Sequence, residues 1–71
     1  MTSIDHITLY RDELEALRLC DFGGLTQEDA GRSMGVSRGT IHRLLMSGRK
    51  KTVEAIVSSK AIILRSETDD K

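Results

Sequence analysis

The sequence predicts an all-α domain, a three-helix helix-turn-helix unit with a long third helix and short β-strands at its two ends. Three observations carry that prediction. In TQEDAGRSMGVSRGTIHRLL, Thr26 to Leu45, two helical patterns meet at Met34-Gly35-Val36 with almost no linker, so the helices must cross steeply instead of folding back antiparallel. Beyond that corner, apolar or small residues recur at spacings of three and four from Ile41 to Ser59 without a proline, which is the pattern of one face of a long helix. Finally, 71 residues with one Phe, one Tyr and no Trp leave only interdigitated aliphatic side chains to build a core.

Taken in order, His6 to Tyr10 (HITLY) alternates in polarity and is rich in β-formers, predicting a short strand or extended lead-in. Arg11 to Asp21 reads as the first helix, with Asp12 and Glu13 in its first turn and Leu14, Leu17 and Cys20 on one side. Gly23 and Gly24 end it, one of them in the left-handed cap conformation. Thr26 caps the second helix, with Asp29 three residues on and Leu25 and Ala30 placed as a hydrophobic staple. Gly35 ends that helix near Met34 because glycine permits the positive φ of a sharp exit. Ser37 caps the third helix, whose core positions are Ile41, Leu44, Leu45, Gly48, Thr52, Ala55, Ile56 and Ser59 and which reaches roughly Val57. AIILR, Ala61 to Arg65, is a second short strand, and residues 66–71 form a disordered polar tail. No repeat or linker divides residues 1–71, so one domain is expected.

A chain of this size buries only about 60% of the surface its unfolded form exposes, so a partner subunit would help it. Its longest apolar run, Ala61 to Leu64, cannot span a bilayer, and the polar start MTSIDH lacks the zones of a secretory signal; a cytoplasmic location with no membrane partner follows. Cys20 is the single cysteine, which excludes an internal disulfide and a cysteine-rich zinc site, and its place beside Leu14 and Leu17 predicts a buried structural thiol. The net charge of zero is a sum of unlike parts. Residues 1–30 carry seven carboxylates against two arginines, residues 31–60 carry seven cations against Glu54 alone, and the remaining residues are nearly balanced. The chain is thus a dipole, positive where the second half of the motif lies.

The motif has a geometric logic. Gly31 supplies the small side chain needed where the two helices touch, Gly35 supplies the turn, and Ala30, Met34, Val36, Ile41 and Leu44 fall where the corner is buried against the first helix. The residues left outward at the start of the third helix are Ser37, Arg38, Gly39, His42, Arg43 and Met46, with Thr40 at the margin; these positions enter a major groove. Arginine pairs bidentately with guanine, and glycine allows close approach. The capped ends at Thr26 and Ser37, with Gln27 and Arg32 nearby, suit phosphate oxygens. Arg49, Lys50 and Lys51 continue the basic side, either as phosphate contacts or as a solvated helix face. Double-stranded DNA is therefore the expected partner and transcriptional regulation the expected role. No cofactor, metal site or small-molecule ligand is evident, and with no nucleophile, base and orienting group together the chain does not read as an enzyme.

The acidic cluster Asp12, Glu13 and Glu15 is explained by the helix macrodipole. It also supports the alternative, a protein-interaction module that presents its acidic first helix to a partner such as RNA polymerase. The two terminal strands, too short to stand alone, predict pairing with each other within a subunit and across to a second one, a homodimer that would set two recognition helices roughly 34 Å apart.

The run DELEALRLCDFGGLTQEDAGRSMGVSRGTIHRLLMSGRKKTVEAIVSSKAI resembles an uncharacterised prokaryotic family of small predicted DNA-binding proteins, domain of unknown function one-three-four, whose helix-turn-helix is similar to region four of sigma-seventy factors. The resemblance runs from about Leu9 to Ile62 and rests on DELEALRL, GLTQEDA, MGVSR and the RKK segment together. It implies a DNA-binding helix-turn-helix and, with no regulatory target assigned to the family, adds more to the fold than to the function. Gly31 stands where the family usually has Ala, Tyr10 where a capping Thr is common, and Ser47-Gly48 where Ala or Ser-Ala precedes RKK.

Overall fold

The β-formers in HITLY and AIILR do more than bracket the helices. In a computed structural model describing residues 5–66, β1 (His6–Tyr10) pairs in parallel with β2 (Ala61–Arg65), His6 opposite Ala61 and Tyr10 opposite Arg65. The Ala61 N–H extends the ladder by donating to the Asp5 carbonyl at 3.0 Å. Between the strands lie α1 (Arg11–Ala16), a π-helical continuation (Leu17–Phe22), α2 (Gln27–Met34) and α3 (Arg38–Ser58), so the helices together form the long crossover that a parallel pair requires. The expectation of an all-α class is thereby overturned: this is a helix-rich domain with a two-stranded parallel sheet. Each strand is legible locally, but the pairing joins positions 55 apart, which no local periodicity reports. The tail expected at 66–71 lies, from residue 67 onward, outside the described residues.

The first helix starts without a side-chain cap from Tyr10; instead Glu13 reaches back to accept the Tyr10 N–H at 2.9 Å. Expected as regular from Arg11 to Asp21, it widens after Ala16 into i→i+5 turns. Gly24 takes the left-handed exit (φ 80°). Thr26 Oγ1 accepts the Asp29 N–H at 3.0 Å and Ser37 Oγ the Thr40 N–H at 3.1 Å, so both predicted N-caps are made. Between them Gly35 adopts φ 74°. At the far end of α3, Ser59 itself adopts the left-handed conformation (φ 54°) and turns the chain into β2. It is therefore a cap and not the core position its spacing suggested.

Ala16, Ala30, Ile41 and Leu45 form the centre of the core, with Leu17, Leu19, Cys20, Met34 and Leu44 packed around it. Two glycines let the helices approach. A Cβ on Gly48 would stand 2.9 Å from Leu17 Cδ1, where α1 and its continuation cross α3. One on Gly31 would stand 2.6 Å from the Val36 carbonyl oxygen, so a larger residue there would force the turn backbone to shift. Four residues expected to be buried are differently placed. Val36 and Leu25 are half exposed, and Ile56 lies on the outer side of α3; Cys20 is only partly buried, its Sγ 3.9 Å from the Thr26 carbonyl. No helix among the described residues is long and apolar enough to cross a membrane.

Candidate nucleic-acid interface

At 100° per residue, the buried positions Ile41, Leu45, Gly48 and Ala55 occupy one side of α3. Arg38, Gly39, His42, Arg43, Met46 and Lys50 are left exposed on the other. Ser37, exposed, closes the cap, and Thr40, half-buried, lies against it with its Oγ1 3.1 Å from Ser37 Oγ. The first turn of α3 contains no carboxylate, whereas that of α2 contains Glu28 and Asp29. The positive end of the helix dipole is thus open to an anion at Ser37 and already answered at Thr26.

The basic residues divide into two groups. Arg32 is held at the surface by Asp29 (2.7 Å) and Glu28 (3.4 Å), Arg49 makes a two-pronged pair with Asp21 (2.9 and 2.8 Å), and Lys51 bonds Glu13 at 2.8 Å. Arg38, Arg43 and Lys50 have no carboxylate partner among the described residues. Of the thirteen residues expected to touch DNA, then, Ser37, Arg38, Gly39, Thr40, His42, Arg43 and Met46 gather at the start of α3, and Lys50 lies exposed a turn further along. Thr26 caps α2, and Gln27 and Arg32 sit on it, where Arg32 and Arg38, with Glu28, border a common shallow groove along Gly31, Gly35, Val36 and Ser37. Arg49 lies at the margin, tied to α1's continuation. Lys51 turns toward the protein, its Nζ also 4.8 Å from the centroid of the Tyr10 ring.

Glu13 is the residue whose role the sequence reading missed. It is 5% exposed and accepts bonds from Lys51 Nζ, Ser47 Oγ and the Tyr10 N–H. Burial pushes its carboxyl up, but the bonds from Lys51, Ser47 and Tyr10 outweigh that and hold it below its ordinary value of 4.5. The available signal was its place three residues after the helix cap, opposite the small stretch Ser47-Gly48. The Arg49 guanidinium likewise holds the Asp21 carboxyl below its usual 3.8. On this same flank an apolar groove of about 520 Å³ runs between α1 and α3, lined by Leu14, Leu17, Thr52 and Val53 and rimmed by Phe22, which is 91% exposed.

Fold and surface together define a small helix-rich domain with one basic helical face. The model of the family described as Protein of unknown function DUF134 matches residues 1–69, and the chain belongs to that family. It is 52% identical over 58 residues to a UPF0251 protein of Pyrococcus horikoshii, covering 82% of this chain and 53% of the relative. It is 55% identical over 53 residues to one of Thermococcus kodakarensis, covering 75% and 47%, and 45% identical over 62 residues to one of Thermoanaerobacter pseudethanolicus, covering 87% and 52%. The chain spans about half the length of these curated relatives. No solved structure matches it.

Proposed function

We propose that the chain binds double-stranded DNA, laying the first half of α3 in the major groove as the second helix of a helix-turn-helix, and acts as a transcriptional regulator. The observation that carries this reading is the exposed side of α3, where Arg38, Arg43 and Lys50 stand without ion-pair partners among the described residues, on a helix whose first turn holds no carboxylate. A basic helical side of this kind matches a groove edged with phosphates, and guanidinium groups there can read guanine. Arg49 can join them by exchanging Asp21 for a phosphate, since so exposed a pair contributes little. Lys51 acts indirectly, by fixing α3 against α1. The role is that of a binding module and not an enzyme. The rival reading, an acidic α1 that contacts a protein partner, has less to stand on because Glu13 is buried and Glu15 is paired with Arg18.

The test is DNA selection from genomic fragments followed by a salt titration of the bound duplex. With three to four cations meeting phosphates or bases, log affinity should fall with log salt at a slope of roughly −2 to −4 per subunit. Arg43→Ala should cost about 1–3 kcal/mol and relax the preference at one base pair, whereas Lys50→Ala should weaken all sequences alike. Affinity indifferent to salt would remove the DNA reading.

A further inference from the structure

Strand β2 is exposed along its whole length. Ile62, Ile63 and Leu64 retain 40%, 43% and 49% of their surface, and none of its five residues is buried. Among the described residues β1 is its one strand neighbour, so the second edge has no ladder partner. Parallel strands ordinarily have both faces covered, and two strands alone are marginal in water. Nor does AIILR carry what keeps an edge single: it has no proline and no lysine, and its register with β1 is unbroken by a bulge. The last turn of α3, leading into β2, adds Ile56 and Val57 at 72% and 76% exposure.

We propose that β2 is the contact strand of a symmetric homodimer, pairing antiparallel with β2 of a second copy about a twofold axis at Ile63 and making one sheet of four strands. A second copy fits because the strand is complementary to itself. In this register Ile63 opposes Ile63 of the other copy and Ile62 opposes Leu64, aliphatic pairs that stabilise neighbouring strands. Charge selects the same arrangement. Arg65 is the one charged residue of β2, and an in-register parallel contact would set two guanidinium groups side by side. The antiparallel contact separates them by roughly 13 Å along the strand and lays each across the small Ala61 of the other copy. That end of the strand lies next to Asp5, a carboxylate without an ion-pair partner among the described residues. The dimer needs no DNA and stands or falls apart from the DNA reading.

Sedimentation equilibrium and cysteine cross-linking of the full chain without DNA test it. The wild type should be a dimer at tens of micromolar, and Ile63→Arg, which sets like charges on the axis, should be a monomer with unchanged helical circular dichroism. In a Cys20→Ala background, mild oxidation should link Ile63→Cys into a covalent dimer. Ile62→Cys and Leu64→Cys should each stay unlinked alone, because their own counterparts lie beyond disulfide reach, yet link to each other when mixed. A wild type that stays monomeric at high micromolar concentration would overturn the proposal. So would higher oligomers, an unlinked Ile63→Cys variant, or a dimer broken by Phe22→Ser but not by Ile63→Arg; the last would place the contact at the apolar groove.

Discussion

Lys51 and Glu13 show how one residue's role turns on which side of a helix it occupies. Read along the chain, Lys51 continues Arg49-Lys50 and belongs to a basic run. Read around α3, it lies four residues after Ser47, on the flank facing α1, and both side chains bond Glu13. Glu13 was explicable from sequence as a helix-start acid, and it is one, accepting the Tyr10 N–H; its long-range partners, 34 and 38 positions away, had no local trace. Lys51→Met keeps the stem beside Tyr10 but leaves a buried carboxylate short of its cation. It should cost about 1.5–3 kcal/mol of stability by urea denaturation and raise the Glu13 carboxyl pKa in an NMR titration. A variant with native stability and selectively weakened DNA binding would return Lys51 to the phosphate contacts.

The elements that local chemistry dictates were legible, and those that depend on a distant partner were legible only in part. Thr26, Gly35 and Ser37 specify the corner between α2 and α3 within a dozen residues, by side-chain caps and a positive φ that the sequence states directly. The widening of α1 after Ala16 has no such signal; the pairing of β1 with β2 was expected because each short strand alone would leave its backbone groups open, but its parallel register was not. Gly31 is where the corner is least tolerant, because the obstacle is the Val36 backbone oxygen at 2.6 Å and not a side chain able to swing away. Gly31→Val should therefore lose about 1–3 kcal/mol from overpacking, read as a lower urea midpoint. Gly48→Ala meets the Leu17 side chain, Cδ1 at 2.9 Å and Cγ at 3.2 Å, which can shift, with Glu13 Cβ at an ordinary 3.6 Å; the gain in helix propensity of about 1 kcal/mol offsets that shift, so the midpoint should stay nearly unchanged. Equal losses at both positions would mean that the corner is no stiffer than the α1–α3 crossing.

Across the whole molecule, the division into an acidic first half and a basic second half could be read from the sequence, but not the way folding partly spends it. Two cations of α3 pair with carboxylates of the first helical segment, Lys51 inward with Glu13 and Arg49 at the surface with Asp21, while Arg38, Arg43 and Lys50 keep their charge outward. The candidate site is thus a smaller basic side than the charge count suggests, and the fold draws mainly on ionised Glu13, with a small share from Asp21. Both carboxyls are held below their ordinary values of 4.5 and 3.8. Their contribution is complete above those unfolded-chain values and is lost as pH falls through the lower folded ones. Stability should therefore drop as pH is lowered below about 4.5, most of the loss coming from Glu13, because the Asp21–Arg49 pair is exposed and screened by solvent. Urea midpoints measured from pH 6 down to pH 3 should show this acid limb in the wild type and a shallower one in Lys51→Met, where Glu13 has already lost the cation that depresses its pKa. An acid limb of the same depth in both would mean that other carboxylates, and not the α1–α3 ion pair, set the acid sensitivity of the fold.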